Sequence, residues 1–370
     1  MLKRLLVKNF TVFAEADFEF GLGLNVVVGT NGTGKSHVLK VGYAVMRAAS
    51  EPQQKPIAKD SQTYWSDTLR NTFHGVFLPE ALHDLTRRAL PEADAVVEVK
   101  LNEPLQHVSF RIPFFPDFHT DPTDPDLVSF DELKLTAFPK ERVGSTKPLF
   151  IPAKEVLSMF NGFLALYENR EIDFDLTYPD LCRQLSLPNL KEPKYKAIMT
   201  ALQTVMGGAV RLNGRRFVFE PTGKQHPLSI NLYAEGLRKF GILWQLLQNG
   251  SLTPETTLFW DEPEANLNPV LLKKLAAVLT DLASQGFQII LATHSLFLLK
   301  ELHVLAQQQK SKVRYFGLYS SPAGDTRVEQ TDDLETLNHL AALDEELAQT
   351  ARFQRVLDED FVQSESQLPE

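Results

Sequence analysis

Gly29, Gly34, Lys35 and Ser36 stand in the order G-x-x-x-x-G-K-[ST], a spacing suited to holding a polyphosphate. Glycines let the backbone wrap closely round an anion. The N–H groups of Gly29, Thr30, Asn31, Gly32, Thr33, Gly34, Lys35, Ser36 and His37 then face it, together with the N-terminus of the helix that follows. Lys35 adds a point charge for the β- and γ-phosphates, and the Ser36 hydroxyl is an oxygen ligand for Mg²⁺. Two further segments supply what phosphoryl transfer to water needs. The adjacent acids Asp261 and Glu262 end the apolar run 258–260, where a carboxylate pair is expensive unless a cation or a water uses it. Asp261 is suited to hold Mg²⁺ through water, and Glu262 to orient or deprotonate the water attacking a γ-phosphate. His294, at the end of the apolar run 287–292, is placed to sense that phosphate.

Such groups need strands that end beside one another. Residues 26–28 read as a buried strand entering the loop, and Ser36 opens a helix with Val38, Leu39, Val41, Ala44 and Val45 at helical spacing. Before it, strands over 2–7 and 16–20 pair across the turn in NFTVF. Phe10 is expected in the core, whereas Phe13 is open between core packing and stacking on a base. Residues 51–93 are helical in character. VVEVKL, HVSFRI and ELKLTAF read as strands, interrupted at 113–126 by four prolines and four aspartates that describe a surface loop. Asp121, Asp124 and Asp126 there read as solvated rather than metal-ligating.

Downstream, a short strand ends at Pro152 and a helix is expected from Lys154 and Glu155. A second helix is opened by Pro193 and closed by Gly207 and Gly208. Asn213 and Gly214 turn a hairpin whose Arg215 and Arg216 read as solvated charge. Past Gly236 a helix carries Leu237, Phe240, Leu243, Trp244 and Leu247 on one apolar face. Pro269 starts a helix ending at Gly286. A helix from Leu296, strands at VRYFGLY and TRVEQ, a helix over 334–356 and a disordered tail at 365–370 complete the pattern.

The chain of 370 residues is 43% apolar, enough for a large core in one big domain or two smaller ones. It has no run of eighteen apolar residues, and MLKRLLVKNF lacks the features of a signal peptide, so a cytoplasmic location without membrane association is expected. A single cysteine, Cys182, excludes an internal disulfide and a cysteine zinc site, and reads as a small core residue. The net charge of −9 lies in residues 331–370, with eleven acids against two bases, while the first 330 residues carry 36 of each sign. A neutral body argues against a uniformly basic nucleic-acid coat and leaves a local DNA-binding groove open.

GTNGTGKS, AEGLRK, LFWDEPEANLNP and LATHS resemble, in order, the Walker A, signature, Walker B with D-loop, and switch-histidine motifs of the ABC-type ATPase superfamily. KNFTVF is similar to the start of the soluble branch containing the RecF and SMC proteins, not to a transporter subunit. The nearest resemblance, over residues 1 to 310, is to compact prokaryotic AAA-type ATP-binding proteins, including OLD-family ATPase domains and the ATPase subunits of the Septu and PARIS anti-phage systems.

It implies an α/β fold: a two-lobed ABC-type P-loop ATPase head with an antiparallel β subdomain and a helical lobe, and no coiled-coil insertion. The expected division is 1–150 for the phosphate-loop lobe and β subdomain, 151–252 for the helical signature lobe, 253–330 for the rest of the core, and 331–370 for a C-terminal helix and acidic tail. The activity implied is hydrolysis of ATP with Mg²⁺, in a homodimer or higher homo-oligomer whose ATP lies between the phosphate loop of one copy and Ala234, Glu235 and Gly236 of another. Ala234 stands where the family usually has serine, and Asn268 where histidine or aspartate is common.

The stretch after the last motif is too short for the Toprim domain of OLD nucleases, and the coiled coil and CxxC hook of break-repair ATPases are missing. The resemblance therefore implies a separate effector chain, a nuclease or toxin, controlled by ATP-dependent assembly in anti-phage defence. A RecF-like ATPase that clamps DNA, and a non-hydrolysing ATP-bound scaffold, are the alternatives.

Overall fold

The computed structural model of the protein describes residues 1–50, 61–88, 93–102, 107–114, 133–138, 148–169, 172–223 and 226–365. β1 (Leu2–Phe10) and β2 (Phe13–Glu19) form a hairpin closed by the pair Phe10↔Phe13. β3 (Leu24–Gly29) follows and runs into α1 (Lys35–Ser50), after which come α2 (Ser61–Phe77), β4 (Ala95–Leu101), β5 (His107–Ile112) and β6 (Lys134–Ala137). β7 (Leu149–Ile151) leads to α3 (Phe160–Glu168), α4 (Thr177–Leu185) and α5 (Lys196–Met206). β8 (Gly208–Asn213), β9 (Arg216–Pro221) and β10 (Leu228–Ser229) make a small antiparallel sheet ahead of α6 (Glu235–Gln248). The chain then passes through β11 (Thr257–Asp261), α7 (Pro269–Ser284), β12 (Gln288–Thr293), α8 (Leu296–Gln309), β13 (Val313–Ser320), β14 (Thr326–Thr331) and α9 (Ala341–Glu365).

Among the described residues one large sheet has the order β6-β5-β4-β1-β2-β14-β13-β3-β12-β11-β7. Its first five strands are antiparallel, and β13, β3, β12, β11 and β7 are parallel. Strands of the parallel half are covered on both faces and are almost continuously apolar. Side chains alternate between the faces. Val27, Phe259 and Ile290 join the core under α1, α2 and the antiparallel strands, while Val26, Leu258, Trp260, Ile289 and Leu291 join the core with α7, α8 and the helices of 160–248. α1 is tied to the second group of helices by Lys40 to Asp175 at 2.9 Å and by Tyr43 to Asp180 at 2.7 Å.

Helix starts follow their local chemistry. Asn268 caps α7 by accepting from the Leu271 N–H at 2.9 Å, with Pro269 in the first turn, and Ser295 caps α8 through the Leu298 N–H at 3.2 Å. One open alternative is settled and three expectations need correction. Phe13 is buried in the core and offers no platform for a base. No helix begins at Lys154 and Glu155: Glu155 sits in a turn and accepts from the N–H groups of Leu157 and Ser158, and α3 starts at Phe160. α6 starts at Glu235, two residues earlier than its apolar face suggests. The region 334–356 divides into a short turn at Leu334–Thr336 and α9. Asp121, Asp124 and Asp126, and the tail at 366–370, lie outside the described residues.

Cys182 is fully buried on α4, and burial pushes its thiol up to about 12. Native protein at pH 8 is expected to release no chromophore with a disulfide thiol reagent, and one equivalent per chain after unfolding. Rapid reaction of the native protein would show that α4 opens locally.

Candidate active site

The parallel strands bring the three chemical segments to one end of the sheet. β3 and β12 pair with Val28 opposite Thr293, and β12 and β11 with Ala292 opposite Asp261. Gly29 to Gly34, Asp261 to Glu264 and His294 therefore all leave the sheet along the same edge.

The loop is built closely. Gly34 has φ +87°, and a Cβ there would lie 2.7 Å from Phe13 and Val12, so only glycine fits. This explains the burial of Phe13: it is the floor on which the loop rests. Thr33 donates to the Thr30 carbonyl at 2.8 Å, and Lys35 Nζ donates to the carbonyls of Gly29 and Thr30, each at 2.9 Å. Burial lowers the Lys35 pKa, opposed by the charges of Glu262, Asp261 and Glu264. His37 turns its Nδ1 to the Thr11 hydroxyl at 3.0 Å and packs edge-on to Phe77. Burial, and then the charge of Lys40, bring its pKa down to about 4, so the ring is neutral.

Asp261 lies beside the start of α1. Burial raises its pKa, and a hydrogen bond from Ser36 is the largest opposing effect, followed by Lys40 and Lys35, while Glu262 adds to the rise. Its Oδ1 is buried without a hydrogen-bond partner. Ser36 and Asp261 thus offer Mg²⁺ two oxygens, one of them an orphan that a cation or its water would satisfy, which fits an ion that takes few protein ligands beside phosphate. Among the described residues no three His, Cys, Asp or Glu side chains converge as a metal cage.

Glu262 has φ +46°, a left-handed conformation that costs a non-glycine residue about 1–3 kcal/mol and is typical of functional sites. Its N–H donates to the Ala292 carbonyl at 2.9 Å. His294 Nδ1 lies 3.6 Å from Glu262 Oε1 and 3.3 Å from Glu264 Oε1. Glu264 is a site residue that the motif reading passed over. It is buried, and its Oε1 accepts from the Thr293 hydroxyl at 2.7 Å and the His294 N–H at 2.9 Å. The signal was present in the second acid of D-E-P-E.

Lys239 is the second such residue. It is 2% exposed, and its Nζ donates to the carbonyls of Glu262 at 3.0 Å and Pro263 at 3.3 Å. Burial draws its pKa down to about 8 against the pull of Glu264, Glu235, Glu262 and Glu155.

Ala234 and Glu235 are exposed at the start of α6, and Gly236 is buried against 266–267, where a Cβ would lie 2.5 Å from the Asn266 carbonyl. Asn266 donates to Glu235 Oε1 at 2.8 Å. Arg238 reaches Glu155 Oε2 at 3.1 Å in a nearly buried pair. A cavity of about 620 Å³ opens beside the loop, lined among others by Thr30, Asn31, His294, Ser320 and His339.

Residues 69–300 match the family model described as AAA domain, putative AbiEii toxin, Type IV TA system. Among solved structures, an SMC head bound to the C-winged helix domain of ScpA is 16% identical with a TM-score of 0.50, over 90% of this chain and 98% of that one. An SMC head with an extended coiled coil, bound to the C-terminal domain of ScpA derived from Pyrococcus furiosus, is 13% identical with a TM-score of 0.50, over 95% and 99%. The chain therefore has the SMC-head type of ABC-type P-loop fold. No curated protein matches it. Among the described residues no helix is long and apolar enough to cross a membrane.

Removing Glu264 leaves the Thr293 hydroxyl and the His294 N–H without their buried acceptor and removes the largest of the negative charges that act on Lys239. Glu264→Ala is expected to lower stability by about 2–4 kcal/mol, read as a lower urea midpoint with unchanged slope. An unchanged midpoint would show that water replaces the carboxylate.

Proposed function

The chain belongs to the AAA-domain family of the putative AbiEii toxin, Type IV TA system, and from that membership we propose that it binds ATP with Mg²⁺ and hydrolyses it, and that nucleotide-dependent assembly of copies controls a separate effector. The observation that carries the reading is the meeting of the 29–36 loop, Asp261 with its unpartnered Oδ1, Glu262 and His294 at one sheet edge.

In this reading the N–H groups of 29–37 and Lys35 hold the phosphates, Lys35 exchanging its two loop carbonyls for phosphate oxygens. His37 contributes its main chain, since its ring is engaged with Thr11. Ser36 and Asp261 hold Mg²⁺, which neutralises charge developing on the transferred phosphoryl group. Glu262 takes the proton of the attacking water, and His294, within reach of both Glu262 and Glu264, registers the γ-phosphate. Residues 1–150 are the nucleotide lobe, 151–252 the signature lobe, 253–330 the remainder of the core and 331–370 an acidic C-terminal element. Ala234 and Glu235, exposed at the start of α6, and Gly236, packed against 266–267, meet the phosphate of a second copy through main-chain N–H groups. The words toxin and TA system in the family's description support an effector as the target of control.

Glu262→Gln is expected to lower steady-state turnover by at least about 100-fold and to accumulate an ATP- and Mg²⁺-dependent dimer or larger species by mass photometry, whereas Lys35→Ala abolishes nucleotide binding and assembly together. Equal turnover in Glu262→Gln and wild type, with an oligomer indifferent to nucleotide, would replace this reading with a scaffold.

One observation favours DNA as a further ligand. At the opposite end of the sheet a cavity of about 660 Å³ is lined by Lys3, Arg4, Lys100, Lys312 and Arg314, with Glu19 and Asp332 the acids. Fluorescence anisotropy with a duplex is expected to show affinity falling steeply with salt, and Lys100→Glu with Lys312→Glu to reduce that slope by about 2. Absence of binding at low salt would remove DNA from the function.

A further inference from the structure

Lys239 is an unusual feature of this core: a lysine with almost no exposure that donates to two main-chain carbonyls in consecutive residues. Those carbonyls belong to Glu262 and Pro263, the point where the chain leaves β11 through the left-handed conformation of Glu262. A buried ammonium needs several acceptors, and a strained residue needs surroundings that fix it. Each need is met by the other. Lys239 lies on α6, one turn beyond Glu235, and the same end of α6 is locked to the segment after Glu262 by Gly236 against the Asn266 carbonyl and by Asn266 on Glu235.

We propose that Lys239 is a positioning residue for the base: its ammonium holds the carbonyls of Glu262 and Pro263 so that the Glu262 carboxylate points into the nucleotide site, and it makes that aim depend on where α6 lies. The inference rests on the reading of Glu262 as the base. In this role Lys239 acts only through Glu262. The N-terminus of α6 is the segment offered to a second copy, so a displacement there moves Lys239 and with it the main chain of Glu262.

The test uses the full chain and single-turnover hydrolysis of ATP, where slow rates are readable. Lys239→Met keeps the length and apolar stem and removes the donor. Its rate is expected to fall about 100-fold, while binding of a non-hydrolysable ATP analogue stays at the wild-type affinity. Added to Glu262→Gln, the same change is expected to cost nothing further, because both act through one carboxylate. Lys239→Arg, which keeps a cation and donors at that depth, is expected to recover part of the rate, and it serves as the decisive variant where Lys239→Met does not fold. A wild-type rate in Lys239→Met, a further loss on the Glu262→Gln background, or equal losses in the Arg and Met variants would overturn the proposal. A wild type without turnover would instead overturn Glu262 as the base.

Discussion

The level pairing of β3, β12 and β11 is the constraint on which the site depends. These strands are parallel, so their C-terminal ends meet at one edge, and their register sets Val28 beside Thr293 and Ala292 beside Asp261. The same register sorts the core. Slipping any one of them by a single residue would exchange its own pair, Val26 with Val27, Trp260 with Phe259 or Leu291 with Ile290, between two faces that are both fully buried. The packing that stabilises the sheet is thus the packing that brings acids to the loop, and a change in one cannot be separated from a change in the other.

Gathering carboxylates at a buried edge is opposed by desolvation, and each acid is offset differently. Asp261 has Ser36, Lys40 and Lys35 against its burial. Glu264 has two donors on Oε1, the Thr293 hydroxyl and the His294 N–H. Glu155 pairs with Arg238 and caps its own turn. Glu262 differs from all three. Its side chain is partly exposed, and its main chain carries the strain and the buried contacts. A carboxylate left open in this way stays within reach of water, whereas Glu155 and one oxygen of Glu264 are held by donors and Asp261 keeps a buried oxygen without a partner. The division between the buried acids of this edge and the one that remains open is a matter of surroundings, not of residue type.

Much of this was legible in the sequence because the local signals are strong. The glycine-rich loop between an apolar strand and a helix, Pro269 at a first turn, Asn213–Gly214 in a hairpin and the apolar runs ending in Asp261 and His294 all carry their own geometry. What escaped has a common cause. Phe13 stays open in the sequence between core packing and stacking on a base, and it is the missing side chain of Gly34, 21 residues on, that makes room for its ring under the loop. Glu155 looked like a helix start, and its partner Arg238 is 83 residues away. Lys239 is only the last residue of AEGLRK in the sequence, and the fold alone places two carbonyls over it. Long-range partners decide such cases, and no periodicity encodes them.

The starts of three helices show how this chain distributes its capping groups. α7 has Asn268 and α8 has Ser295, each accepting from an N–H of the first turn. α6 has Ala234 at its cap, which has no side-chain acceptor to give, and Ala234 and Glu235 are exposed beside a Leu232 that is 78% accessible. A cap stabilises a helix by about 1 kcal/mol, so α6 forgoes stability that its neighbours take. The N–H groups of Leu237 and Arg238 donate to the Ala234 carbonyl, which leaves those of Glu235 and Gly236 for an acceptor brought from outside, and the helix macrodipole favours an anion there. A serine at 234 would supply a hydroxyl to such an anion and a cap in its absence. Alanine supplies neither, so in the proposed assembly the main chain of α6 alone must recognise phosphate, and the helix is better satisfied with the second copy than without it.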